Sequence, residues 1–165
     1  MLDPKIAAAL NDHLHHELAS WYLYLSMAAY LEAANLPGSA AWMRTQAGEE
    51  LAHALKVFDY VNDRDGRVTL QPIAQPPVEF ASLAAVWKAA LANEEKVSAL
   101  VAKLYDQAQK AGDHATAAME QWFVTEQVEE EKTVRLILER LERIGEVSSA
   151  IYFLDRHLGK EAEKP

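Results

Sequence analysis

The sequence predicts an all-α protein, a four-helix bundle with one long crossover between the second and third helices and a short fifth helix. Two observations predict it: apolar residues recur in steps of three and four along four long stretches, and only one connection between those stretches is long. The 165 residues are 50% hydrophobic and 25% charged, as is typical of a globular chain. We expect a single domain over residues 1–165.

Start and stop signals divide the chain into helices. Asp3-Pro4 offers an N-cap and a first-turn proline, and Ser82 offers a second cap. Glycine-containing turns separate the other helices, and Gly159 is expected to end the last one. The predicted helices cover about residues 4–35, 39–64, 82–110, 114–143 and 147–158.

The connection over residues 67–81 holds three prolines and shows no helical period. Fifteen extended residues reach about 50 Å, whereas a 26-residue helix is about 39 Å long. This segment can therefore cross the full length of the bundle, so that the third helix starts beside the start of the second.

Each long helix carries polar residues within its apolar stripe, at a similar distance from its start. The first stripe, for example, runs through Leu10, Leu14, Glu17, Trp21 and Tyr24. Side by side, the helices would bring these polar residues to one level of the core, and unpaired buried carboxylates cost several kcal/mol each. Because the stripes contain no Lys or Arg, salt bridges are a poor explanation, and two divalent cations are a better one. The residues of this layer are Glu17, Glu50, His53, Glu94, Gln127 and Glu130.

The spacing suggests how two cations would be shared. Glu50 and His53, at i and i+3, can bind one metal ion together with Glu17. Glu94 and Glu130 can bind a second ion, with Glu50 bridging the two. Oxygen ligands with one imidazole suit iron, although Mn²⁺ and Zn²⁺ fit the same ligands.

A second group of acids lies beside the first. It consists of Glu49 and of three glutamates that share one face of the fourth helix: Glu126, Glu129 and Glu130. Like charges at this spacing destabilise a helix by a few tenths of a kcal/mol per pair, which a third cation could offset. A solvated acidic surface is the alternative.

Several aromatic and histidine residues flank the layer. Tyr24 lies one heptad after Glu17, where it could donate an electron, bind a ligand through a hydrogen bond, or simply pack. Trp122 is expected to pack. The neighbouring His13, His15 and His16 point in different directions on a helix, so we expect them mostly at the surface.

The overall charge narrows the function classes. A net charge of −9 argues against nucleic-acid binding and is compatible with attracting small cations. No apolar run has the roughly 20 residues of a membrane span, no secretory signal is visible, and there is no Cys. We expect a cytoplasmic protein without a membrane partner.

In these motifs the chain resembles the non-haem bacterial ferritins, a family of the ferritin-like di-iron superfamily, over nearly its whole length. The matching segments are NDHLHHELASWYLYLSMA, EELAH at 49–53, NEEKV, the VTLQPI crossover, WFVTEQVEEE at 122–131 and the short fifth helix. The resemblance implies a homo-oligomeric shell of 24 subunits that oxidises Fe²⁺ with O₂ or H₂O₂ and stores ferric mineral.

The resemblance also implies roles for individual residues. Glu17, Glu50 and His53 match the ligands of one iron, and Glu94, Glu50 and Glu130 those of the second, with Gln127 beside it. The third iron site of the family matches Glu49, Glu126, Glu129 and Glu130, and Tyr24 matches the tyrosine next to the centre. These residues are thus the expected catalytic and metal-binding set.

Three departures distinguish this chain from related groups. Bacterioferritins carry a second ExxH where this chain has Gln127-Val-Glu-Glu130, and a haem-ligating Met where it has Leu51-Ala52, so haem is not expected. Glu120 aligns with an acid of the threefold channels of animal ferritins, but its companion here is Ala117, which argues against iron access there.

Two alternatives stay open. A di-iron oxidase or peroxidase of the rubrerythrin type, without storage, is disfavoured by the missing second ExxH and the missing cysteine pairs. A metal-free structural bundle would gain stability from Glu50→Ala, because the change removes a buried charge.

Overall fold

The computed structural model describes residues 2–145 and 147–163, and within them the chain forms five helices. They are α1 (Pro4–Ala33), α2 (Pro37–Asp63), α3 (Leu83–Ala111), α4 (His114–Ile144) and α5 (Ser148–Ala162). The expected all-α bundle with a long crossover and a short fifth helix is therefore confirmed.

Local sequence explains most helix ends. The Asp3 carboxylate accepts hydrogen bonds from the backbone N–H groups of Lys5 and Ile6, and the Ser82 hydroxyl accepts one from Ala85. Asp113 caps α4 through the N–H of Thr116. Gly112 ends α3 with a left-handed backbone (φ 68°), a conformation that glycine adopts without strain.

Two helix ends differ from the sequence prediction. The helix α2 begins at Pro37 rather than at residue 39, because this proline occupies the first helical turn. The helix α5 continues through Gly159 to Ala162 instead of ending at residue 158. A Cβ on Gly159 would lie 3.2 Å from the Cα of Gly38, so this glycine allows two helices to approach closely and does not end one.

The crossover lies along α1. The side chain of Asn11 donates to the carbonyl of Arg67 and accepts from the N–H of Thr69. Further on, the hydroxyl of Ser26 donates to the carbonyl of Pro77, and that of Tyr30 to the carbonyl of Phe80. The connection thus follows α1 from its first third to its last turn, and α3 starts at the same end of the bundle as α2.

Buried apolar residues form two clusters in the described part of the chain, one toward each end of the bundle. One contains Met27, Leu31, Met43, Trp87, Ile137 and Leu158. The other contains Ile6, Leu10, Val57, Val101, Leu104 and Phe123. The polar layer predicted from the sequence lies between them.

No helix of the described ranges is both long and apolar enough to cross a lipid bilayer.

Candidate metal centre

The polar layer is buried within the chain. Each of its six side chains has less than a tenth of its surface exposed: Glu17, Glu50, His53, Glu94, Gln127 and Glu130. In residues 2–145 and 147–163, none of the four glutamates of the layer pairs with a Lys or Arg. A layer of acids without Lys or Arg partners needs another source of compensation.

Three side chains converge at one point of the layer. Glu17, Glu50 and His53 each present a ligand atom within 4.8 Å of the others. The Nδ1 of His53 lies 4.0 Å from Glu17 Oε2 and 3.8 Å from Glu50 Oε2, too far for a hydrogen bond. Within the described residues, Glu17 Oε2, Glu50 Oε1 and His53 Nδ1 are buried and have no hydrogen-bond partner. A metal ion would satisfy all three residues at once.

The three converging residues differ in how the metal-free site shifts their pKa values. Burial, followed by the charges of Glu17 and Glu94, raises the pKa of Glu50 well above its usual range. Burial lowers the pKa of His53, which leaves a neutral imidazole at pH 7. Burial alone would raise the pKa of Glu17, but its hydrogen bond to His13 and the charge of His13 lower it.

Glu94 is held by hydrogen bonds in the metal-free chain. It accepts one from the hydroxyl of Tyr24 and one, at 3.2 Å, from Nε2 of Gln127. Burial and the neighbouring Glu94 raise the pKa of Tyr24 well above its usual range, so the phenol keeps its proton. Glu94 is not part of either group of side chains whose ligand atoms converge within 4.8 Å. To bind a metal ion, its carboxylate would have to give up these hydrogen bonds.

Glu130 links the layer to the second group of acids. Its Oε2 accepts a hydrogen bond from Gln46 Nε2 at 2.6 Å, and Glu130, His53 and Glu126 offer ligand atoms within 4.8 Å of one another. Burial, and then the charges of Glu94 and Glu49, raise the pKa of Glu130 to about 8.

The second group surrounds a cavity of about 330 Å³ between α2, α4 and α5. Glu49, Glu126, Glu129 and Glu130 all line it, together with Glu161 of α5. Partial burial of the carboxyl group, and then the charge of Glu126, raise the pKa of Glu49. These acids therefore share one cavity.

Some positions differ from the sequence prediction. His13 is not at the surface: it is completely buried, and its ring nitrogens lie 2.7 Å from Glu17 Oε1 and 3.2 Å from Glu120 Oε1. Trp21 is only half-buried, whereas Ser20 is buried and bonded to Asn93. The stripe of α1 is wider than one heptad seam and includes positions 13 and 20 as well.

Sequence reasoning missed the roles of Gln46, His13 and Glu120. The spacing of Gln46 along the chain gives no indication of its bond to Glu130. The signal for His13 was its i, i+4 spacing from Glu17. Glu120 is fully buried inside the chain, where it faces His13.

The flanking aromatic residue Trp122 is 39% exposed. Its ring packs edge-on against His53, with ring centroids 5.4 Å apart, and the Lys56 ammonium lies 3.8 Å from its centroid. Trp122 thus packs between the layer and the surface. His16 is half-buried and lines a groove with Lys96.

Comparisons with known proteins identify the family of the chain. Residues 7–144 match the sequence model of the ferritin-like domain. A bacterial non-heme ferritin of Staphylococcus haemolyticus is 37% identical over 158 residues, which cover 96% of this chain and 95% of that protein. One of Staphylococcus aureus is 34% identical over 159 residues, with 96% of both chains covered.

Solved structures point the same way. An engineered closed form of the Archaeoglobus fulgidus ferritin superposes with a TM-score of 0.94 at 42% identity, covering 96% of this chain and 97% of the other. A structure of the open-pore ferritin of Archaeoglobus fulgidus gives a TM-score of 0.96 at 40% identity, with 100% of both chains covered. The chain therefore belongs to the ferritin family, and its function is iron storage with ferroxidase activity.

Proposed function

We propose that Glu17, Glu50 and His53 bind one Fe²⁺ and that Glu50, Glu94 and Glu130 bind a second, with Gln127 beside it. The observation that carries this proposal is the set of three buried ligand atoms without hydrogen-bond partners in the described chain, on Glu17, Glu50 and His53. Carboxylate oxygens and a neutral imidazole are ligands that suit iron.

The two ions are substrates, and each gives up one electron to the oxidant, O₂ or H₂O₂. Glu50, Glu94 and Glu130 have raised pKa values in the metal-free chain, so Fe²⁺ would displace their protons as it binds. Tyr24 keeps its proton and would help to orient Glu94. Burial of the layer keeps reactive oxygen species away from other molecules.

The acids of the cavity would receive iron from the centre. Glu49, Glu126 and Glu129, together with Glu130, form the proposed third site, which would serve as a route from the centre to the mineral. The convergence of Glu126 and Glu130 with His53 supports continuity between the two groups. A solvated acidic surface would instead show no metal-dependent change at these residues.

At the level of the assembly, we propose a homo-oligomeric shell of 24 copies without haem, located in the cytoplasm. The archaeal relative described as an open-pore ferritin supports a cage, and the absence of Cys fits a reducing compartment. At −9 per chain such a shell would be strongly anionic and would attract Fe²⁺.

The test is aerobic addition of Fe²⁺ to metal-free protein, followed by near-ultraviolet absorbance and particle mass. We expect a fast phase that saturates at about two or three irons per chain, followed by slower uptake of many more iron ions. Saturation at two with no further loading would contradict storage and favour a rubrerythrin-type oxidase.

Glu50→Ala tests the site itself. Glu50 is shared by both proposed irons, so we expect the fast phase to disappear while the metal-free shell still assembles. Glu139→Ala, at an exposed position of α4, is the matched control and should oxidise Fe²⁺ like the parent protein. Oxidation by Glu50→Ala at the parent rate would contradict the site assignment. The metal-free bundle would be favoured if neither the parent nor Glu50→Ala oxidised Fe²⁺ and the variant were the more stable of the two proteins.

A further inference from the structure

A buried pair of polar residues, His13 and Glu120, lies next to the metal centre and is not part of it. Both side chains are completely buried, one on α1 and the other on α4. The imidazole of His13 packs edge-on against Phe123, with ring centroids 4.6 Å apart. The pair therefore lies in the apolar cluster below the layer, where polar groups are costly.

The hydrogen bonds of the pair lead to a metal ligand. His13 Nε2 is 2.7 Å from Glu17 Oε1, and His13 Nδ1 is 3.2 Å from Glu120 Oε1. A carboxylate on each ring nitrogen prevents the imidazole from rotating without losing both contacts. His13 thus connects Glu17 to a residue on another helix.

This contact distinguishes the two oxygens of Glu17. Its Oε1 is held by His13, while its Oε2 has no hydrogen-bond partner within residues 2–145 and 147–163 and lies 4.0 Å from His53 Nδ1. The carboxylate is therefore oriented before any metal binds, with one oxygen directed toward the other ligands.

Burial of the pair carries a desolvation cost. Glu120 Oε2 is also buried without a partner in the described chain, so one carboxylate oxygen is desolvated and uncompensated. Two apolar residues of similar volume would remove this cost but would leave Glu17 Oε1 buried without its partner. A costly group in direct contact with a ligand residue is better explained by its effect on the ligand than by stability.

We propose that His13, held in place by Glu120, is a positioning residue that orients Glu17 so that Oε2 binds the metal as a single-oxygen ligand. The proposal rests on the assignment of Glu17 to the first iron site. Partners that orient metal ligands in this way typically change metal affinity by about 10-fold to 100-fold when they are removed.

The test measures Co²⁺ binding to metal-free protein without oxygen, from the visible absorption of the bound ion. The binding step that disappears in His53→Ala identifies the first site. His13→Leu combined with Glu120→Leu removes both polar groups but also takes the hydrogen bond from buried Glu17 Oε1, so we expect an assembled metal-free protein that is less stable to heat than the parent. At the first site it should bind Co²⁺ about 10-fold more weakly, with a changed absorption band.

Conservative variants separate positioning from packing. Glu120→Gln keeps an acceptor for His13 Nδ1 and should retain an affinity and an absorption band close to those of the parent. His13→Gln lacks the ring and cannot span the same two atoms, so it should bind more weakly than Glu120→Gln. This comparison also serves if the double variant fails to fold.

Equal Co²⁺ affinity and spectrum in the parent and the double variant, or in the two glutamine variants, would overturn the proposal and leave the pair as a structural contact. Because Co²⁺ binding involves no oxidation, a parent protein that fails to oxidise Fe²⁺ would count against the assigned function alone. If the parent oxidises Fe²⁺ rapidly and the double variant binds Co²⁺ like the parent, only the positioning role of His13 would be contradicted.

Discussion

Glu130 shows how a single buried acid couples stability to pH. The residue is 7% exposed, and burial with the nearby Glu94 and Glu49 raises the pKa of its carboxyl group to about 8. The folded, metal-free chain thus holds the proton more tightly than the unfolded chain does. A raised acid pKa stabilises the fold below the unfolded pKa of about 4.5, and this contribution is lost as pH rises toward about 8.

The metal-free protein should therefore lose stability between about pH 5 and pH 8, and Glu130→Gln should reduce that loss. The neutral amide removes the titrating group and keeps an acceptor for Gln46. The difference between parent and variant is at most about 5 kcal/mol, at about 1.4 kcal/mol per pKa unit. Urea unfolding of chelator-treated protein at several pH values measures it. Equal pH slopes in the two proteins would contradict the assigned shift.

Single residues of the layer were accessible to sequence reasoning because each is a polar break in an apolar stripe. Glu17 and Glu94 stand out in this way without any knowledge of the fold. His13 does not, since it has Leu14 beside it and two further histidines close by. Its burial depends on side chains of α4, Glu120 and Phe123, that reach it across the core and that periodicity does not specify.

Among the elements, α5 is attached to the start of α2 through a cap supplied from far along the chain. Asp155 accepts hydrogen bonds from the N–H of Gly38 at 3.0 Å, from the N–H of Ser39 at 2.7 Å and from the Ser39 hydroxyl at 2.7 Å. Leu36, the residue at the N-cap position, has no capping side-chain bond. The N-terminus of α2 is therefore satisfied by α5.

Gly38→Ala should destabilise this junction. A Cβ at residue 38 would lie 1.8 Å from the carbonyl oxygen of Asp155, so α5 would have to move. We expect a cost of at least about 1–3 kcal/mol, typical of an overpacked contact. Gly48→Ala is the matched control: it lies on the same helix with nothing within 4 Å of its Cβ, and should stabilise by about 0.5–1 kcal/mol. Thermal unfolding compares them, and equal effects would contradict the packing argument.

Some helix ends are predictable from sequence and others are not, depending on whether the capping residue lies next to the end in sequence or far along the chain. Asp3, Ser82 and Asp113 cap their own helices, so local sequence predicts these starts to within two residues. The start of α2 and the end of α5 depend on each other across the molecule. Local sequence predicts that Gly159 ends a helix, because its packing partner, Gly38, is distant in sequence.

At the scale of the whole molecule, the excess of acids should influence how fast iron reaches the centre. The net charge of −9 per chain attracts Fe²⁺, and salt screens this attraction over about 10 Å at 0.1 M. At Fe²⁺ concentrations below saturation, we expect the initial oxidation rate to fall as NaCl is raised, with little change at saturation. Choline chloride should act like NaCl. A rate independent of both salts would contradict electrostatic attraction.

The architecture itself was predictable because the length of the connection between α2 and α3 determines the relative direction of these two helices. A short loop would place α3 antiparallel to α2, whereas residues 64–82 are long enough to cross the bundle. The hydrogen bonds that hold this segment to α1, such as Tyr30 to Phe80, were not predictable, because they depend on the backbone path of an irregular segment.

That path also makes the two sides of the subunit unequal. The crossover covers the outer side of α1 through bonds such as Gln71 to Asp12 and Ser26 to Pro77. The opposite flank, between α2 and α4, carries the acidic cavity that borders Glu130. On the proposed route through this cavity, oxidised iron would leave the centre on the flank that the crossover leaves uncovered, so the topology of the chain would determine the side of delivery.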